Sequence, residues 1–220
     1  ELSKKKMKAK SVYYVPGIGI NTQKFADLQI ERTAIRTSLN MPEKGIAFLS
    51  VGELNSNKNH ELVIRALSRL KNPDYFYYIA GDGVLRDYLN KLIKENGLEN
   101  NVHLLGYRSD VPSLCKACDV FCFPSKREGL PVSLMEAMAC GLPAICTEIR
   151  GNTDLIGQNI GGYLCGADDV DTFAHNMRTL AENECLRKEM GQANMQKIKS
   201  FDIKNVSEIM NKIYDSLNIN

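Results

Sequence analysis

Three charged side chains in this sequence are poorly explained by packing or helix stability alone: Lys58, Glu128 and Glu136. The two glutamates lie in REGLPVSLMEAMACGLPA, residues 127–144, with seven residues between them. Apart from Glu136 and Ser133, everything from Gly129 to Cys140 is apolar or glycine. Two carboxylates at this spacing fit three chemistries: a general acid and base, ligands to a metal, or acceptors for the hydroxyls of a ligand. A carboxylate on a buried helix is costly unless donors reach it. Glu136 therefore needs either an internal partner, an arginine or backbone amides, or vicinal hydroxyls such as those of a ribose. Metal binding fits least, because no histidine or aspartate lies nearby at a suitable spacing.

Lys58 closes the polar loop of VGELNSNKNHELVIRAL, just before a helix expected from about Asn59. A cation there opposes the helix dipole. A phosphate held between the lysine and the free N–H groups would remove that conflict, and a lysine turned to water is the alternative. Gly129 and Leu130 offer backbone N–H groups at the start of the helix that carries Glu136, within reach of a phosphate or polyol. Pro131 suits that helix's first turn, and Gly141 followed by Pro143 marks its end.

The elements that must position these groups are legible as short apolar runs alternating with amphipathic stretches. Strands are expected at 11–15, 46–52, 75–81, 102–106, 119–125, 143–147 and 161–165. Helices are expected at about 22–40, 59–71, 84–96, 111–117, 131–140, 170–182, 184–199 and 203–216. In 59–71, for example, Leu62, Val63, Ala66, Leu67 and Leu70 recur at helical spacing while Glu61, Arg65 and Arg69 face away. Continuous Val, Ile, Tyr and Phe strands, each followed by a helix, imply an α/β fold: a Rossmann-like parallel sheet covered on both faces. Ligands of such folds bind outside the carboxyl ends of the strands.

Other strand ends add weaker signals. Gly17-x-Gly19 lacks the third glycine of a dinucleotide fingerprint, since Thr22 holds that place, so a glycine turn with Asn21 or Thr22 capping the next helix is the better reading. Gly52 permits a tight exit from its strand, and Asp82 in Gly81-Asp82-Gly83 reads as a turn residue. Tyr107 and Arg108 stand where they would flank a planar base, and Ser109 or Asp110 would cap the following short helix. Cys115-x-x-Cys118 and Cys122 fall in slots for small apolar residues and read as buried thiols rather than a metal or redox site. His60, His103 and His175 are scattered, and none pairs with a nucleophile.

With 220 residues, of which 44% are hydrophobic, the chain fits one domain. A net charge of +2 is too mild to argue for nucleic acid or a membrane surface; the lysines at 4, 5, 6, 8 and 10 read as a solvated lead. No apolar run reaches the length of a membrane span, and an odd count of seven scattered cysteines suits a reducing compartment. These features predict a soluble, cytoplasmic chain.

VPGIG, VGELNSNKNH, AGDGVLRDYL, GYRSDVP and above all PSKREGLPVSLMEAMACGLPAICT resemble, in that order, the C-terminal half of a glycosyltransferase family 4 enzyme. That group is retaining and has the two-domain GT-B fold, and the likeness spans nearly the whole chain. The resemblance implies a single nucleotide-sugar-binding domain over residues 1–220 with a C-terminal helix at about 200–220, lacking an N-terminal acceptor domain and inactive alone. The opening Glu1, in place of Met, agrees with that expectation.

Carried over, the family's pattern makes Lys58 and Glu128 catalytic residues. The donor site would comprise Gly52, Lys58, Tyr107, Arg108, Glu128, Gly129, Leu130 and Glu136. Glu128 would meet sugar hydroxyls, Gly129 and Leu130 the sugar or diphosphate, Glu136 the ribose, and Lys58 the diphosphate; the backbone at Tyr107 and Arg108 would lie against the base. The implied partners are a UDP- or GDP-sugar donor, the acceptor domain, and an acceptor glycan or lipid-linked sugar, with no cofactor, no metal and no nucleic acid. Glu53 replaces the arginine common in the family, which shifts the diphosphate onto Lys58 and backbone amides, with Arg127 as a further cation. Asp154 shortens a side chain where a glutamate is common. VGEL with NKNH looks like a subgroup tied to bacterial surface-polysaccharide synthesis, which places the chain peripherally at the inner face of the membrane. Rival readings are a sugar-nucleotide epimerase on a similar fold and a non-catalytic nucleotide-binding domain.

Overall fold

The structure, a computed structural model, describes residues 12–216. Its strands are β1 (Ile46–Val51), β2 (Tyr75–Ala80), β3 (Val102–Gly106), β4 (Val120–Phe123), β5 (Ala144–Thr147) and β6 (Gly162–Cys165). They form a six-stranded sheet in the order β3-β2-β1-β4-β5-β6, with every neighbouring pair parallel. Helices α1 (Thr22–Ala26), α2 (Arg32–Ser38), α3 (His60–Leu70), α4 (Arg86–Glu95), α5 (Val111–Ala117), α6 (Val132–Ala139), α7 (Asn152–Leu155), α8 (Val170–Glu182), α9 (Glu184–Ile198) and α10 (Ile203–Ser216) surround it.

Side chains alternate across the sheet, so each strand feeds two cores. Phe48, Tyr77 and Ile79 pack with Val63, Leu67, Phe173 and Met177, from α3 and α8, on one face. Leu49, Tyr78 and Phe121 pack with Leu114, Met135 and Met138, from α5 and α6, on the other. Burial on both faces explains why these strands read as continuous apolar runs rather than alternating ones.

Two expected elements differ. Of the strand expected at 11–15, position 11 lies outside the described residues, and 12–15 form no strand. They lie on the surface with Tyr14 exposed, and Tyr13 reaches across to the end of α10, where its hydroxyl lies 3.1 Å from Ser216 Oγ. Among the described residues, the pairing in this region is the bridge between Ile20 and Asp202, and 12–15 join no strand of the sheet. The helix expected at 22–40 is two helices. α1 packs on α6 and α2 on α5, and the chain turns between those two directions over residues 27–31. The lysine cluster at 4–10 and the last four residues of the expected C-terminal helix lie outside the described residues.

The buried guanidinium of Arg36 ties α2 to the entrances of β1 and β4. It donates to the carbonyls of Pro42, at 2.7 Å, and Ala117, at 3.1 Å, and pairs with Asp119, which also accepts the Ala47 N–H at 2.8 Å. Removing it strands buried carbonyl acceptors, while Asp119 keeps Arg32, at 2.7 Å, and the Ala47 N–H. Arg36→Ala is expected to lower the unfolding free energy by about 3 kcal/mol in urea denaturation. Arg65→Ala, which breaks only an exposed pair with Glu61, is expected to cost about 0.5 kcal/mol or less.

Candidate functional site

The loops after β1 and β4 meet because those strands are neighbours in the sheet. Lys126 N–H donates to Asn57 O at 2.8 Å, and Asn57 Nδ2 donates to Arg127 O at 3.0 Å. Asn59, held in a left-handed conformation at φ 54°, sends its amide to Pro124 O and Ala167 O. It therefore fixes the start of α3 through loop contacts rather than by a side-chain cap.

Lys58 does not point to water. Its Nζ lies 2.7 Å from Glu128 Oε1, and the two side chains are only 22% and 14% exposed. The ammonium stands 5.3 Å from the centre of the Phe123 ring. Its aliphatic stem crosses Gly52, where an added Cβ would fall 3.1 Å from Lys58 Cδ. Gly81, after β2, lets that turn close against Gly52, since a Cβ on Gly81 would lie 1.9 Å from Gly52 O.

Glu136 is half-buried on α6, between the fully buried Met135 and Ala137. Among the described residues its carboxylate has no hydrogen-bond partner. Burial pushes its pKa above 4.5, and the charge of Lys24 on α1 opposes that rise. The α6 N-terminus, at Pro131, carries no side-chain cap, and Gly129 faces open space. At the other end Gly141, at φ +83°, closes α6: its N–H bonds Met138 O and that of Leu142 bonds Ala137 O.

Residues 17–26 form a wall beside this helix that the sequence did not reveal as part of the site. Gly17 sits so close to Leu130 that a Cβ there would fall 2.3 Å from Leu130 Cδ2. Asn21 caps α1 as expected, accepting the Lys24 N–H at 3.0 Å, and thereby aims Lys24 toward Glu136's helix. Gly151, at φ +93°, supports the glutamate loop from the other side; a Cβ on it would collide with Gly129 O at 2.2 Å. Beneath lie Thr147, whose hydroxyl donates to Ser125 O, and the buried Asn152, which donates to Thr147 O at 3.0 Å.

The remaining expected residues sit further out. Tyr107 is 84% exposed at the end of β3. Arg108 is drawn to Asp110 in a two-pronged pair at 2.8 and 2.7 Å, so the Asp110 side chain does not cap α5 although that residue occupies the N-cap position. Glu53 is exposed and accepts from Asn55, Arg127 is exposed, and Asp154 is exposed on α7. The Asp82 carboxylate accepts the Gly83 N–H at 2.9 Å within its turn. Cys115, Cys118 and Cys122 are buried free thiols, and burial pushes Cys118 up to about 12. Among the described residues no group of three His, Cys, Asp or Glu is placed to share a metal ion, and no helix is long and apolar enough to cross a membrane.

Sequence reasoning set His60 aside, yet it lies under the Lys58 loop. Ser50 donates to Cys122 O at 2.6 Å and Tyr77 donates to Ser50 at 2.7 Å, so each hydroxyl has spent its hydrogen. His60 Nδ1, 3.2 Å from the Tyr77 hydroxyl, is therefore the donor, and Nε2 is buried without a hydrogen-bond partner among the described residues. Burial pushes the His60 pKa down to about 4, against the pull of the Glu53 and Gly52 backbone, with the Lys58 charge adding to the depression.

The family pattern described as glycosyl transferases group 1 matches residues 31–197. The chain belongs to that family. It is 38% identical over 155 residues to a Campylobacter jejuni N-acetylgalactosamine-N,N'-diacetylbacillosaminyl-diphospho-undecaprenol 4-alpha-N-acetylgalactosaminyltransferase, covering 70% of this chain and 42% of that protein. It is 30% identical over 173 residues to an Escherichia coli UDP-Gal:alpha-D-GlcNAc-diphosphoundecaprenol alpha-1,3-galactosyltransferase, covering 76% of this chain and 45% of that one. The chain spans about half the length of the curated relatives it matches. Among solved structures, Anabaena HepE in complex with UDP superposes with a TM-score of 0.85 at 23% identity, over 90% of this chain and 56% of that one. At that identity the likeness is one of fold. This group 1 glycosyl transferase chain thus carries the α/β architecture of the family, with the Lys58–Glu128 pair in the loops that follow β1 and β4, and Glu136 on the helix after β4.

Two measurements test the electrostatics. The unfolded chain takes up a proton at His60 near pH 6.5 and the folded chain only near 4. Stability is therefore lost as pH falls between those values, by on the order of 3 kcal/mol. His60→Gln is expected to flatten that part of the curve in urea titrations. Glu136 has the opposite sense, because its ionised form is disfavoured in the fold. Glu136→Gln is expected to preserve or raise the melting temperature at neutral pH, an advantage that fades as pH falls through the raised pKa toward 4.5.

Proposed function

We propose that this chain is the donor-binding half of a retaining, family 4 glycosyltransferase that assembles a bacterial surface polysaccharide. It transfers a hexosyl or N-acetylhexosaminyl group from a UDP- or GDP-sugar to the hydroxyl of a glycan or lipid-linked sugar. The observation that carries this reading is Glu136: a half-buried carboxylate on an apolar helix without a side-chain N-cap, with no hydrogen-bond donor among the described residues, on the helix that follows the Glu128 loop. A ribose diol supplies the missing donors at low cost, because two hydroxyls can hydrogen-bond one carboxylate.

In this reading Lys58 meets the diphosphate. Its charge, together with the N–H groups at Gly129 and Leu130, stabilises the negative charge that grows on the leaving group. Glu128 takes sugar hydroxyls, Glu136 the ribose, and the segment at Tyr107 and Arg108 flanks the base beside Gly52. Arg127, exposed in the same loop, is a further cation for the diphosphate. No side chain is assigned as a general base; the departing phosphate oxygen receives the acceptor's proton on the front face, and no metal or other cofactor is assigned. Acceptor binding belongs to a second domain of comparable size, so this chain alone binds nucleotide without transferring sugar. The named activities of the Campylobacter and Escherichia relatives support a hexosamine or hexose donor and a lipid-linked acceptor; an acceptor of that kind puts the enzyme peripherally at the inner face of the membrane in this reading.

Calorimetric titration of UDP and GDP into wild type, Lys58→Ala and Glu136→Ala tests the assignment. Each substitution is expected to weaken the preferred nucleotide about tenfold or more, the range for a charge-assisted hydrogen bond. Unchanged affinity in both variants would sink the reading.

A further inference from the structure

We propose that the Lys58–Glu128 ion pair is a specificity element that favours the intact sugar nucleotide over the free nucleoside diphosphate. The inference rests on the donor-binding reading above. It starts from how firmly the pair is built. The two residues are 70 positions apart in sequence, yet Nζ and Oε1 meet at 2.7 Å with both side chains largely enclosed. The loops that carry them are bonded to each other through Asn57, Lys126 and Arg127, and Asn59 bonds the same region to Pro124. Gly52 below the lysine stem and Phe123 below the ammonium leave Lys58 little freedom to swing away. The Lys126–Asp168 pair on the same rim, at 3.6 Å between exposed side chains, is by contrast an ordinary surface contact.

An enclosed ion pair of this kind imposes a condition on any anion that binds. The cation available to a diphosphate is already neutralised by the carboxylate available to a sugar. A free nucleoside diphosphate that engages Lys58 must share that one cation with Glu128 and brings added negative charge close to the enclosed carboxylate, which is unfavourable. A sugar nucleotide recruits both groups at once, because its hydroxyls donate to Glu128 as its diphosphate engages Lys58. Glu128 therefore acts against the product that remains after transfer and favours its release, while remaining neutral or favourable toward the donor.

The test is calorimetry on wild type, Glu128→Gln, Lys58→Gln and the double variant, with UDP, UDP-N-acetylgalactosamine, GDP and GDP-mannose as ligands. Circular dichroism melts establish that each variant is folded; Glu128→Gln keeps the size of the side chain and lies in a loop. In Glu128→Gln the free diphosphate is expected to bind about tenfold tighter while the sugar nucleotide binds equally or more weakly, so the preference for intact donor shrinks or inverts. In the Lys58→Gln background the same glutamate substitution is expected to leave diphosphate affinity unchanged, because the competition has lost its object. Diphosphate affinity that is unchanged or weaker in Glu128→Gln overturns the proposal, as does tightening that persists without Lys58. If diphosphate binding depends on Lys58 and Glu136 but not on Glu128, the donor site stands and only this inference falls. If none of the ligands binds wild type, the donor-binding reading falls and takes the inference with it.

Discussion

Strands β1 and β4 lie side by side although some seventy residues separate them in the chain, and they pair in parallel through Phe48 with Val120 and Leu49 with Phe121. Because the strands run the same way, both leave the sheet at the same edge, and their following loops must share the space above it. The hydrogen bonds between Asn57 and residues 126–127 convert that proximity into a single rigid rim. The Lys58–Glu128 pair hangs from this rim. Lys58 finds Glu128, Asn59 finds Pro124, and α3 and α6 begin on either side with their N-termini facing the cleft.

Glycines do the complementary work of allowing close approach. Gly52 admits the Lys58 stem, Gly81 admits the Gly52 carbonyl, Gly151 admits the Gly129 carbonyl and Gly17 admits Leu130. In each case an added Cβ would meet atoms at or inside van der Waals distance, so the loops could not stack at their present depth. Gly17 and Gly151 have positive φ as well, which L side chains adopt only with strain.

The charges of the site are set by how each is enclosed. Lys58 and Glu128 are enclosed together and satisfy each other. Glu136 is half-buried with no hydrogen-bond partner among the described residues, and burial pushes its pKa up. His60 is enclosed beneath the rim, donates to Tyr77, and is held neutral by burial. A neutral imidazole there keeps a second positive charge away from Lys58. The same polar chain, running from His60 through Tyr77 and Ser50 to the Cys122 carbonyl, cross-links β2, β1 and β4 directly below the loops.

The sequence alone determined the sheet's six strands, the helices between the first five of them and the carboxyl edge as the place to look, because hydrophobic period and turn residues are local properties of the chain, whereas the one-turn α7 before β6 carries too short a pattern to read. It also marked Lys58, Glu128 and Glu136, since a charge in an apolar or dipole-opposed setting is visible without coordinates. Only the tertiary structure decided what those charges do to one another. That Lys58 meets Glu128 rather than water, that Lys24 is the cation nearest in effect to Glu136, and that His60 lies under Gly52 all depend on strand order. The misplaced strand at 11–15 has the same origin: Val12 to Val15 have strand-like composition, but a strand exists only where a neighbour offers backbone partners. Local pattern specifies what each segment is able to become, whereas ion pairs and sheet edges are relations between segments far apart in the chain, and packing alone brings them together.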